Sequence, residues 1–414
     1  MARRSPKPTR EALPTGFWIL WFTIVIDMIG FGIAIPVLGP YVEDQFGASL
    51  GRHLGLYVSL LGSAFSLAQW VVAPIMGRLS DRYGRKPVIV FSLLGTAVAS
   101  ALTGAANAFW LVLVARLFDG ASGASIGVAQ AAVADIAPPR RRAALMGMVG
   151  AAFGVGFTVG PAIGALASRF GGQRAPFYVA AVIAFVNAVV AVVRLPETKG
   201  TILPIEAADR HETVGLAHTW REAGLPRLLM VSLVATFAFS AFEQVFTIFG
   251  KRGINGFTQE SAGWAFVIVG VVVSVVQGAL VGRASRRFGE LPLLRYGLMT
   301  TAVGMAVLAL STGWLLLVPA LVLLAAGQGF ASPTMTAAVS NRIAPERRGA
   351  LMGVQQSWNS LARVLGPLAG GLAFDQIGIS APFVANAVLF AVASLLTLRV
   401  VQRVTDRVGQ TTAA

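Results

Sequence analysis

An all-α integral membrane fold, twelve transmembrane helices arranged as two pseudo-symmetric six-helix bundles, is what this sequence predicts, on three observations. The chain of 414 residues is 56% hydrophobic and only 12% charged, more apolar surface than a water-soluble fold needs, so its solvent is lipid. Its apolar runs fall into twelve segments of membrane-spanning length, divided by short polar or basic connections. The second half also repeats the first at a nearly constant offset.

The repeat is carried by charged loops and Gly-Pro pairs, which chance apolar similarity does not keep in register. Gly77-Arg78-Leu79-Ser80-Asp81-Arg82-Tyr83-Gly84-Arg85-Lys86-Pro87 reads as a tight charged turn wedged between two apolar runs. It returns as Gly282-Arg283-Ala284-Ser285-Arg286-Arg287-Phe288-Gly289, 205 residues on. Ala144-Leu145-Met146-Gly147 recurs as Ala350-Leu351-Met352-Gly353, and Gly160-Pro161 with Gly164 as Gly366-Pro367 with Gly370, both 206 residues on. Six spans per half is an even number, so equivalent loops share a side and the repeat is parallel about an axis normal to the membrane.

Taken in order, residues 1–16, with Arg3, Arg4, Lys7 and Arg10, read as a cytoplasmic tail. The apolar run behind them is too long for a signal peptide, and no small-residue cleavage site precedes a soluble domain. The N-terminal bundle is expected over 17–194. Span one, about Phe17–Tyr41, holds Asp27 ten residues in, about 15 Å along a hydrocarbon core of about 30 Å. Gly30, Gly32, Pro36 and Pro40 then bend the helix or admit a close neighbour. A polar loop, Glu43–His53, leads to span two, Leu54–Met76. Span three, Val88–Ala106, is separated from span four, Trp110–Ile136, by little more than Asn107, and Arg116 and Asp119 share one face of span four. Span five, Ala143–Ser168, is striped with Gly147, Gly150, Gly154, Gly156, Gly160 and Gly164, which permits close helix approach, and Pro161 adds a kink. Span six, Pro176–Val193, ends at Leu195-Pro196-Glu197-Thr198. A mixed-charge linker at 195–227 precedes a C-terminal bundle at 228–400, whose spans fall near 228–250, 262–281, 291–311, 314–340, 350–374 and 381–400. Residues 401–414 read as a second cytoplasmic tail.

Charge fixes the expected orientation. Of 33 basic residues, the odd connections hold five, Arg52, Arg169, Arg174, Lys251 and Arg252; Arg116 and Arg363 lie inside spans, and the remaining 26 occupy the tails, the even connections and their flanks. Both termini are therefore expected in the cytoplasm. The net charge of +15 follows this topology and suits anionic headgroups, not nucleic acid. With no cysteine and three histidines at no metal spacing, disulfides, thiolate chemistry and metal sites are not expected. No nucleophile-base constellation or phosphate loop suggests an enzyme.

The residues then carry a family resemblance over nearly the whole chain. The loop from Gly77 through Asp81, Arg82, Gly84, Arg85 and Lys86 resembles the signature loop of the major facilitator superfamily. Arg116-Leu117-Phe118-Asp119-Gly120 resembles its fourth-span motif, and Gly156, Gly160, Pro161 and Gly164 match its fifth-span antiporter motif. Asp27-Met28-Ile29-Gly30-Phe31-Gly32, followed by Pro36, resembles span one of proton-coupled drug exporters, especially the tetracycline efflux pumps. Spans three and nine lack the acids of the Gram-negative tetracycline pumps, and Asp119 stands where the fourth-span motif usually has glutamine. In the second copy of the loop, Arg286 replaces the acid. The resemblance implies two bundles rocking about a central site, with Asp81 anchoring one half to the other in one state. A plain topogenic turn is the alternative for that loop.

Functional charges should stand where the two copies differ. Shifted by 206, Asp27 falls on Leu233, Arg116 on Val322 and Asp119 on Ala325, while Arg363 falls back on Phe157. Ionisable groups at membrane depth are expensive and by default functional. Asp27 is expected to carry the proton, with Arg116 and Asp119 coupled to it; a structural Asp27–Arg116 pair is the alternative. Glu243, Gln130, Gln277, Gln328, Gln356, Asn359 and Arg363 are candidates to line the substrate site, although Glu243 could equally lie near the outer membrane edge. The expected function is proton-coupled antiport that exports small amphipathic or drug-like molecules from the inner membrane of a bacterium. No cofactor is expected, the proton gradient supplying the energy, and the partners are a small-molecule substrate, protons and lipid, with the chain a monomer. A metabolite exporter or uniporter and a lipid-handling transporter are the alternatives.

Overall fold

Only structures that satisfy their own backbone hydrogen bonds span lipid, and long apolar segments do so as helices. The computed structural model describes residues 16–123, 125–138, 141–198, 225–342 and 348–411, and every regular element among them is helical. The N-terminal half contains α1 (Phe17–Leu50), α2 (Leu54–Tyr83), α3 (Arg85–Ala105), α4 in two pieces (Phe109–Ser122 and Ser125–Ile136), α5 (Arg142–Gly171) and α6 (Ala175–Arg194). The C-terminal half contains α7 (Leu225–Gly253), α8 (Gln259–Phe288, with a π-turn at Val276–Leu280), α9 (Glu290–Ala309), α10 (Trp314–Ser340), α11 (Arg348–Gln376) and α12 (Ala381–Thr411). Ten apolar segments among the described residues are long enough to cross a membrane. The first, Phe17–Tyr83, holds both α1 and α2, and α11, with Gln355, Gln356, Asn359 and Arg363, stands outside the ten, so the set comes to twelve.

Helix packing repeats with the sequence. In the first half α1 packs on α5 and α6, α3 on α4 and α6, and α2 on α4. Six helices on, α7 packs on α11 and α12, α9 on α10 and α12, and α8 on α10. The halves meet through α2 with α11 and α5 with α8, one contact and its pseudo-symmetric copy, and through α1 with α7. The repeated Gly-Pro pairs make equivalent contacts. A Cβ on Gly160 would come within 2.6 Å of the Ile29 carbonyl oxygen and one on Gly164 within 3.0 Å of that of Ile33, so α5 lies backbone to backbone on α1. In the second copy, a Cβ on Gly366 would strike the Phe237 carbonyl and one on Gly370 would lie 3.1 Å from that of Ala241, seating α11 on α7 in the same way.

Several boundaries differ from the sequence expectation, each for a local reason. Glu43–Leu50 is the last part of α1, not a loop, because its polar side chains find partners at the helix end: Glu43 and Asp44 on α7, and Gln45 on Gln173. The signature turn shrinks to Gly84, since Gly77–Tyr83 finishes α2 and Arg85 begins α3. Gly84 has φ +108°, and its Cβ position is occupied by the Glu197 carboxylate, so both conformation and space require glycine. Gly289 turns α8 into α9 at φ +80°, the matching place in the repeat. Span four breaks near Gly123, whose N–H bonds back to the Asp119 carbonyl at 2.7 Å. The last helix continues to Thr411, through most of the segment expected as a tail. Residues 1–15, most of the expected linker (199–224) and 412–414 lie outside the described residues.

Glu197 also explains how the first bundle is held at the signature-loop end. Its carboxylate accepts from the backbone N–H groups of Arg85 at 2.8 Å and Lys86 at 3.2 Å, satisfying donors that the start of α3 leaves open. The preceding Pro196 packs against Gly16 at the start of α1. The segment after α6 thus crosses the bundle and ties α1 and α3 together.

Candidate functional site

Intramembrane charges from the two halves come within electrostatic reach of one another, Arg116 from the first and Glu243 and Arg363 from the second. On α4, the Arg116 guanidinium donates from Nη1 to Asp119 Oδ2 at 2.7 Å, the i,i+3 arrangement that brings both to one face. The pair is buried, and the guanidinium lies over the Phe65 ring of α2 at 4.5 Å from its centroid. Among the described residues the buried Arg116 Nε atom finds no hydrogen-bond partner. The ion-pair partner of Arg116 among the described residues is thus Asp119. Asp27 itself lies half-buried midway along the lipid-length part of α1.

Glu243 joins this set from the other half. It is half-buried on α7, and its strongest electrostatic neighbours are Arg363 on α11 and then Arg116 on α4. Two guanidinium groups, one from each bundle, thus act on a single carboxylate, and the neighbouring Gln244 fills the space above Gly62 of α2. Glu243 sits ten residues before the end of α7, about 15 Å along the helix, and not at its rim.

The amide candidates divide. Gln130 on α4 and Gln328 on α10 are half-buried, while Gln277 on the π-turn and Gln356 on α11 are exposed. Asn359 is engaged within its own half: its Oδ1 accepts from the Ser232 hydroxyl at 3.0 Å, and that hydroxyl accepts from Gln355 Nε2 at 3.0 Å. The buried Gln355–Ser232–Asn359 chain packs α11 on α7, so Asn359 serves the scaffold. Sequence reasoning chose Gln356 and passed over Gln355, because both lie on a polar stretch and only packing separates them.

The signature loop lies open. Asp81 pairs with Arg85 at 2.7 Å, and Arg85 also bonds Asp135 of α4 at 3.0 Å and the Ser80 hydroxyl. Asp81 is 65% exposed, and the ion pair it makes stays within its own loop. Arg82 and Lys86 are at the same surface, and Gly77 has open space around it. The fifth-span group faces two ways: Gly156, Gly160 and Gly164 contact α1, whereas the Pro161 carbonyl lies against Gly263 of α8.

Cross-bundle polar contacts gather at the opposite end. Arg252 Nε donates to Glu43 Oε1 at 2.8 Å, and Lys251 pairs with Asp44 and, at 3.7 Å, with Glu43, closing α1 on α7. The Asp375 carboxylate of α11 accepts from the backbone N–H groups of Gly55 and Leu56 at 2.9 and 2.8 Å, capping the start of α2. Its pseudo-symmetric counterpart is Arg169 of α5 facing Glu260 in the first turn of α8 at 3.5 Å. Sequence reasoning counted these residues only as loop charges. Their signal was opposite charge at matching ends of the repeat, Glu43 and Asp44 beside the positions equivalent to Lys251 and Arg252. Among the described residues no ion pair or hydrogen bond joins the halves at the signature-loop end, where α2 from Trp70 and α8 beyond Ser274 are largely exposed, so the cleft between the halves opens on that side.

Comparison with known proteins follows the same lines. The chain matches the family model of the Major Facilitator Superfamily over residues 20–280 and 253–413. It is 31% identical over 361 residues to the tetracycline resistance protein, class B, of Escherichia coli, across 85% of this chain and 86% of that protein. It is also 31% identical over 399 residues to multidrug resistance protein 2 of Bacillus subtilis, across 93% of this chain and 94% of that one. A bacterial homologue of the human lysosomal transporter Spinster, solved in an inward-facing and unoccupied conformation, matches with a TM-score of 0.75 at 16% identity, across 97% of this chain and 99% of that one.

Proposed function

Because the chain belongs to the major facilitator superfamily and is a multi-pass membrane transporter, not an enzyme, we propose that it is a proton-coupled antiporter exporting small amphipathic, drug-like molecules by alternating access. Relatives named for tetracycline and multidrug resistance support the cargo class. The observation that carries the coupling is the set of intramembrane charges brought together from both halves, the Arg116–Asp119 pair and Glu243 under the electrostatic influence of Arg363 and Arg116, with Asp27 half-buried on α1.

Asp27 is the proton carrier in this reading. A half-buried carboxyl at mid-membrane changes its proton affinity as the cleft opens to one side and then the other. Protonated from outside and deprotonated toward the cytoplasm, it returns one proton for each exported molecule. The Glu43–Arg252 and Asp44–Lys251 contacts close the outer face in the conformation seen, and the loop around Asp81 closes the cytoplasmic face in the alternate one. In this reading the membrane is the bacterial inner membrane, both termini are cytoplasmic, and the energy comes from the proton gradient.

Proteoliposomes with an imposed pH gradient and an internal pH dye test this directly, with tetracyclines, lipophilic cations and neutral drugs added in turn. The expected result is substrate-triggered collapse of the gradient that disappears in Asp27→Asn. If none of the compounds moves protons, or the variant behaves as the parent, export by proton antiport is wrong.

A further inference from the structure

We infer that the cleft receives an anionic oxygen group of its cargo, a carboxylate or an enolate, on the guanidinium of Arg363, with Gln356 as a polar companion on the same face of α11. The inference rests on the reading of the cleft as a transport site and adds the charge class of what is carried.

Position is the first argument. Leu361, Leu365 and Leu372 are 44, 47 and 46% exposed and mark the lipid-facing side of α11. At about 100° per residue, Arg363 stands about 160–200° around the helix from all three, and Gln356, two turns earlier, falls within about 20° of Arg363. Residues at 355, 359, 362 and 366 bind α7, and those at 364, 371 and 375 meet α2. The face that holds Arg363 and Gln356 is thus neither lipid-facing nor taken up by either neighbour, and both residues are exposed. That face looks into the cleft.

Availability is the second. Arg116 is committed to Asp119 and stacked on Phe65. Arg363, among the described residues, makes no ion pair or hydrogen bond, and Glu243 acts on it only electrostatically. A guanidinium offers five donors in a planar fork that fits two oxygens of one group. With Glu243 acting on it only electrostatically, Arg363 keeps its donors for an oxyanion, and a cationic cargo has no use for them. Phe157 occupies the equivalent position in the first half, so the repeated scaffold does not require an arginine there.

Two xanthene dyes of one framework, anionic fluorescein and cationic rhodamine 123, separate charge from shape. Their anisotropy would be titrated with the purified full-length chain at about pH 8. The expected result is that fluorescein binds, that Arg363→Gln weakens it about 10- to 100-fold, and that Arg363→Lys falls between. Rhodamine 123 affinity should stay constant or increase in Arg363→Gln, which also shows that the variant is folded. Arg194→Gln, an exposed base at the end of α6, should change neither dye. Fluorescein affinity unaffected by Arg363→Gln, or reduced equally by Arg194→Gln, overturns the assignment. Rhodamine 123 binding and exchanging for protons while fluorescein does not bind overturns the assignment and leaves the export reading standing; binding of neither dye also overturns the assignment, and the export reading is then decided by the proton-flux panel.

Discussion

Arg116 and Asp119 show what a single residue can and cannot do at this depth. Each would be prohibitively placed without the other, because an unpaired buried charge is worse than none. Removing one partner by Asp119→Ala is expected to destabilise the first bundle by about 3–5 kcal/mol, read as a lower unfolding temperature of the solubilised chain. Arg116→Met combined with Asp119→Leu should recover most of that loss while abolishing transport. Equal destabilisation in the single and double variants would show that the pair is not held by its own electrostatics. These two residues were legible in the sequence because the second half has Val322 and Ala325 in their places. The Gln355–Ser232–Asn359 chain was not, since polar residues on consecutive turns read alike until packing decides which one faces a neighbouring helix.

Elements show the same division between pattern and contact. The repeat at 206 residues fixed which helices correspond, and the packing of α1 on α5 and α7 on α11 follows from glycines visible in the sequence. Helix ends were less legible: a polar run such as Glu43–Leu50 reads as a loop unless its partners 200 residues away are known. Those partners make the contact between α1 and α7 testable. Thr247 lies one turn below Lys251, is 1% exposed, and packs against Gly39 of α1. The chain has no cysteine, so Thr247→Cys supplies a single thiol behind the closed end. A membrane-impermeant maleimide outside intact cells should label it slowly. Adding Glu43→Gln and Asp44→Asn should speed labelling several-fold, as the closed state loses the ion pairs that favour it. Unchanged labelling would mean that apolar packing alone holds this end shut.

At the scale of the whole molecule, the charge of the cargo decides how the membrane potential drives export, and the two readings of the cleft part here. An inward proton gains about 2.3 kcal/mol from each 100 mV, inside negative, and about 1.4 kcal/mol from one pH unit. Exchange for a neutral molecule at those values sustains a gradient of several hundredfold. Exchange for a monovalent cation moves no net charge and keeps only the pH part, about tenfold. Exchange for a monovalent anion moves two charges in the favourable sense, raising the limit to about four orders of magnitude. The two-bundle site, with a carboxyl on α1 for the proton and Arg363 on α11 for an anionic group, therefore predicts export that responds to voltage. In proteoliposomes at fixed pH gradient, clamping the potential with potassium and valinomycin from zero to about 100 mV should increase the steady-state gradient of an anionic substrate by more than a thousandfold at the thermodynamic limit. A gradient that follows pH but ignores voltage would mean that the cargo crosses as a cation, and that Arg363 repels it and does not receive it.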